Sequence, residues 1–168
     1  MKRRVGPPTW YERDFVVPAT IDWLVANGYE WWREAPTSDA SKRRVDLIAR
    51  HSGGTRMLIE CKYQRVTPRR IISAVNQINA YHAEYPEADA LKVIATPRGH
   101  IRPLMELACA ASGVILLPLA IEITPDPNNV SRYVARFDDG SVQPPRFIER
   151  DMYYCWNSCA LPQERTFV

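Results

Sequence analysis

The stretch RRVDLIARHSGGTRMLIECKY (43–63) contains two β-prone runs, RRVDLIAR (43–50) and TRMLIECKY (55–63), around His51-Ser52-Gly53-Gly54. Two such runs joined by a short glycine-bearing break predict a β-hairpin. Side chains alternate along a strand, so Glu60 and Lys62 share a face. Asp46 reaches that face if it lies directly opposite Glu60. That register pairs 51 with 55 and leaves a three-residue Ser52-Gly53-Gly54 loop, an allowed hairpin length. A two-residue Gly53-Gly54 loop would set Asp46 against Cys61, on the wrong face. The chemistry of the strand ends thus predicts the turn.

Two carboxylates converging at a strand end are hard oxygen ligands suited to Mg2+ or Mn2+. Without a cation they repel, and one of them tends to hold a proton. A neighbouring lysine can orient water and neutralise charge on a phosphate. Asp46, Glu60 and Lys62 are therefore the equipment of metal-assisted phosphodiester hydrolysis. The plain alternative is an exposed Glu60–Lys62 ion pair worth about 0–1 kcal/mol, which leaves Asp46 without a role.

The charge distribution points the same way. Residues 41–70 carry nine Lys/Arg against Asp46 and Glu60, a net +7, so the rest of the +3 chain nets −4. Lys42, Arg43 and Arg44 on one side, and Arg65, Arg69 and Arg70 on the other, flank the hairpin and are candidate phosphate contacts.

Working outward, apolar residues from Trp10 to Asn27 recur at helical steps, with Pro18 kinking that helix or opening its second half and Gly28 ending it. YEWWREA (29–35) reads as a strand. After Pro68, Ile71, Ala74, Val75, Ile78 and Tyr81 form one helical stripe that Pro86 ends. LKVIAT (91–96) and GVILLPL (113–119) are buried-strand runs on either side of a helix over roughly 101–112. Helix, three strands, then alternating helices and strands imply an α/β fold with a central mixed sheet flanked by helices. TPDPNN (124–129) reads as a linker-like turn, and YVARFDDGSVQ (133–143) as a hairpin around Asp139-Gly140. The expected organisation is a basic tail (1–8), a core (9–122) and a C-terminal extension (123–168) with a hairpin and an aromatic tail.

Asp46 followed by Glu60-Cys61-Lys62 resembles the PD-(D/E)xK nuclease superfamily. VDLIARHSGGTRMLIECKYQRV (45–66) is similar to Mrr-type restriction endonuclease domains, and Gln77-x-x-x-Tyr81 to the helix motif of RecB-type nucleases. Four-residue spacing sets those two side chains on one helical face. The resemblance implies a restriction endonuclease-like fold and a DNA endonuclease that hydrolyses phosphodiester bonds through a metal-activated water, with RNA still open as substrate. It implies metal binding by Asp46, Glu60 and the backbone carbonyl of Cys61. Lys62 would align the water, while Gln77 would support the site or touch substrate, with Tyr81 beside it among the nucleic-acid contacts. A further acid from the first helix would be Glu12, with Asp14 and Asp22 as alternatives. A branched-DNA resolvase and a non-catalytic DNA-binding or assembly subunit are the competing readings. A homodimer through the C-terminal extension is expected.

No run approaches the length of a membrane span, and the basic N-terminus lacks the apolar segment of a signal peptide. Cys61, Cys109, Cys155 and Cys159 fit neither a disulfide framework nor a zinc pattern, so a reducing cytoplasm is expected. His51, His82 and His100 read as turn or surface residues.

Overall fold

A computed structural model of the chain describes residues 11–36, 44–63, 68–146, 148, 152–154 and 163–164. One π-helical turn, Glu12–Val16, passes directly into α1, Val17–Ala26, with Pro18 in its first turn. Pro18 has no N–H to offer the Asp14 carbonyl four residues earlier. The backbone N–H of Arg146 takes that carbonyl instead, at 3.0 Å. Gly28, at φ +80°, turns the chain out of α1 in a conformation that favours glycine.

Strands β1 (Tyr29–Pro36), β2 (Arg44–His51) and β3 (Arg56–Cys61) follow as an antiparallel meander. Helix α2 (Pro68–Glu84) crosses to β4 (Leu91–Pro97), parallel to β3. A 3-10 turn, Arg98–His100, and α3 (Pro103–Ala111) lead to β5 (Val114–Leu119), parallel to β4. These five strands form the expected mixed central sheet, in the order β1-β2-β3-β4-β5.

The sheet divides two apolar layers. Leu47, Ala49, Ile59, Cys61, Val93 and Ala95 pack with Val16, Ile21 and Leu24 on the α1 face. Ile48, Leu58 and Ile94 pack with Ile71, Ala74, Val75, Ile78 and Tyr81 of α2 and with Met105 and Cys109 of α3. The α2 stripe expected from the sequence is the buried one. Cover on both faces explains the nearly continuous apolar run of LKVIAT, whereas GVILLPL is the edge strand, with Ile115 45% exposed, and is not the buried strand its sequence suggests.

The extension differs in detail from its sequence reading. TPDPNN is strand as far as Asp126: β6 (Ile121–Asp126) pairs with β7 (Asn129–Phe137), and only Pro127 and Asn128 turn. Pro125 is tolerated because β6 is the edge of the small sheet β6-β7-β8, where β8 is Val142–Gln143. The hairpin around Asp139-Gly140 is present, with Gly140 at φ +83°. Strands β9 (Met152–Tyr154) and β10 (Gln163–Glu164) extend the central sheet beyond β1. Among the described residues no helix is long and apolar enough to cross a membrane.

Candidate active site

The β2–β3 register sets the site. Leu47 pairs with Ile59 and Arg50 with Arg56, a ladder that extrapolates to Asp46 opposite Glu60. The turn has the expected three-residue form: His51 N–H donates to the Thr55 carbonyl at 2.8 Å and Gly54 N–H to the His51 carbonyl at 2.9 Å. Gly54 sits at φ +96°, where a side chain is disfavoured.

Asp46 Oδ2 accepts the backbone N–H of Cys61 at 2.8 Å. Glu60 is almost fully buried, and its Oε1 lies 3.4 Å from Lys62 Nζ. Glu60 Oε2 has no hydrogen-bond donor among the protein's groups. The Asp46 carboxyl stands within its reach, and two acceptors there are satisfied only with a proton or a cation between them. Burial, and then the charge of Asp46, push the Glu60 carboxyl up to about 9, against the pull of Lys62. Burial also raises Asp46, opposed by the Cys61 N–H, the Glu60 proton, Lys62 and Arg33. The two titrate as one coupled pair that retains a proton at neutral pH.

Lys62 Nζ donates to Gln77 Oε1 at 3.1 Å, and Gln77 Nε2 donates to the Tyr81 hydroxyl at 2.8 Å. Burial works against the Lys62 ammonium, but Glu60, Glu12 and Asp46 outweigh it and raise its pKa. Lys62 therefore stays a cation. Tyr81, expected among the nucleic-acid contacts, is buried and its hydroxyl is turned to Gln77.

Glu12 comes from the π-helical turn and accepts the Tyr63 N–H at 3.3 Å. Burial raises its pKa, opposed by Lys62 and that N–H, and Asp46 adds to the rise. Asp14 and Asp22 are engaged elsewhere: Asp14 pairs with Arg13 at 2.8 Å and Asp22 with Arg146 at 2.5 Å. Among the described residues no three Asp, Glu, His or Cys side chains converge as a metal-ligating group.

Cys61 faces away from the acids. Its thiol is buried in the α1 layer, 3.6 Å from Thr20 Oγ1, and burial raises its pKa well above the ordinary value. Arg44, Arg69 and Arg70 are exposed, whereas Lys42, Arg43 and Arg65 lie outside the described residues, as do Cys155 and Cys159. His100 is not a bare surface residue: its Nδ1 hydrogen-bonds the Tyr63 carbonyl. Arg33, buried on β1 and acting on Asp46, was not anticipated from sequence. A charged residue at an inward position of an aromatic strand was the available signal.

No protein-family model matches the sequence, and no curated protein does. Among solved structures, the chain is similar to a repair endonuclease from Pyrococcus abyssi, at 14% identity and a TM-score of 0.45. The match covers 61% of this chain and 46% of that one, so this chain spans less than half the length of the endonuclease it matches.

Proposed function

We propose that the chain is a divalent-metal-dependent nuclease of the PD-(D/E)xK type that hydrolyses phosphodiester bonds in DNA. One observation carries the reading: Glu60 Oε2 is buried without a donor, in reach of a second carboxyl. An orphaned buried acceptor facing a like group is costly unless a proton or a cation joins them. A hard cation fits this oxygen pair. Asp46 and Glu60 would hold Mg2+ or Mn2+, with the Cys61 carbonyl as a further oxygen. Such an ion would polarise a phosphate oxygen and draw charge from the carboxylates.

The remaining steps belong to the chain's own groups. Lys62 is cationic, so it donates hydrogen bonds to the attacking water or the phosphate and does not act as the base. Gln77, braced by Tyr81, fixes the direction of the Lys62 ammonium. Glu12 ties down the backbone just beyond Lys62. Arg44, Arg69 and Arg70, with Lys42, Arg43 and Arg65, supply phosphate contacts. A homodimer through residues 123–168 belongs to the same proposal, and sedimentation checks it.

The test is cleavage of supercoiled, linear, single-stranded and four-way-junction DNA, and of RNA, with Mg2+ or Mn2+. Wild type should cut DNA, while Asp46→Asn and Lys62→Ala should not. If wild type and Asp46→Asn bind DNA alike and neither cuts, the chain is a DNA-binding subunit and the nuclease reading is wrong.

A further inference from the structure

We propose that Tyr63, His100 and Tyr133 form a stacking platform for unpaired nucleobases beside the site, so that the substrate is nucleic acid with single-stranded character at the cut. This rests on the nuclease reading above.

Tyr63 directly follows Lys62, and both of its backbone groups are held. Glu12 accepts its N–H at 3.3 Å, and His100 Nδ1 bonds its carbonyl. The Tyr63 and His100 rings lie 5.0 Å apart at 56°, and both are only half-buried. On its other side Tyr63 meets Tyr11 at 5.2 Å, and Tyr11 meets Tyr133 of β7 at 5.2 Å. A row of rings thus runs from the end of β3 to the small sheet.

Apolar packing accounts for part of this row. Tyr11 and Phe15 are buried with Ala135, and they dock the small sheet on the π-helical turn. That packing still leaves Tyr133 38% exposed, the one aromatic among the exposed large apolar side chains of the described residues. Its ring lies against that of the buried Tyr11, with centroids 5.2 Å apart. Fixed, partly open aromatic faces next to a phosphate-directed lysine offer what an unstacked base needs. An intact duplex keeps its base faces stacked and cannot use them.

The experiment measures binding of the full chain, without divalent metal, to labelled single-stranded, forked and duplex DNA, and to a single strand whose bases are replaced by abasic sites. Cleavage of the same molecules with Mn2+ runs in parallel. Wild type should prefer the single-stranded and forked molecules and lose that preference with abasic sites. Tyr133→Leu, which keeps an apolar side chain against Tyr11, should weaken single-strand binding about tenfold and leave duplex binding unchanged, while Tyr133→Phe retains the preference. Cleavage with equal binding of normal and abasic strands would overturn the platform and keep the nuclease. Base-dependent binding with no cleavage of any substrate would support the platform and overturn the nuclease.

Discussion

Lys62 Nζ donates to Gln77 Oε1 at 3.1 Å, so a side chain of α2 sets the direction of the ammonium at the end of β3. Gln77 is itself held by Tyr81, one helical turn on. A group that orients a catalytic cation acts on the chemical step more than on binding. Gln77→Leu should therefore lower kcat about 10–100-fold with little change in KM. Tyr81→Phe removes only the bracing hydroxyl and should lower kcat less. Steady-state cleavage of one defined oligonucleotide checks both, and a Gln77→Leu loss confined to KM would make Gln77 a substrate contact.

The coupled carboxyls predict a pH signature in the metal-free protein. The folded-state pKa of Glu60, about 9, lies above its ordinary value of 4.5. Such a group contributes its full stability below the ordinary value and loses it as pH rises through the folded one. Melting temperature in EDTA should fall as pH rises across that window. Glu60→Gln carries no titrating carboxyl there, so its melting should be flatter and higher than that of wild type at mildly alkaline pH. Excess Mg2+ should recover wild type and not the variant. Parallel pH profiles for the two proteins would mean that the acids do not share a proton.

The hairpin register is open to a one-residue test. Deleting Ser52 leaves a two-residue Gly53-Gly54 loop between the same His51–Thr55 pair, so Asp46 stays opposite Glu60. Cleavage should persist while the circular dichroism stays close to native, and loss of cleavage in a folded variant would show that the register needs the third loop residue. Gly54→Val should likewise keep the register and lose about 1–2 kcal/mol from the strained backbone alone, since open space surrounds the new Cβ. Chemical denaturation separates the two effects.

What was legible from sequence follows the range of the interactions. The hairpin, Asp46–Glu60–Lys62 and the α2 stripe are set by alternation, helical period and turn chemistry, all read within about twenty residues. Pro18 was legible as a break, but not that the freed Asp14 carbonyl would receive Arg146, which is far along the chain. His100 carries no local signal, because its meaning comes from the Tyr63 carbonyl, and Arg33 shows only as a charge at an inward strand position until Asp46 is brought near it. The strand character of 124–126 was hidden by Pro125, which reads as a breaker until its strand is known to lie at a sheet edge.

The attachment of the small sheet separates packing from charge. Arg98 and Asp138 form a two-point ion pair at 3.2 and 3.0 Å, yet both side chains are well exposed. Solvent screens such a pair, so Arg98→Ala should cost under about 1 kcal/mol. Tyr11 is 1% exposed and touches Phe15, Tyr63 and Tyr133. Tyr11→Ala should cost about 3–5 kcal/mol by opening a cavity between the π-helical turn and β7. The same cavity frees the turn that carries Glu12, so cleavage by the folded fraction should also fall. Denaturant titration gives the two stability changes, and activity measured well below the midpoint tests the second effect. Equal losses for the two variants would show that the sheet is held by charge and not by its aromatic seam.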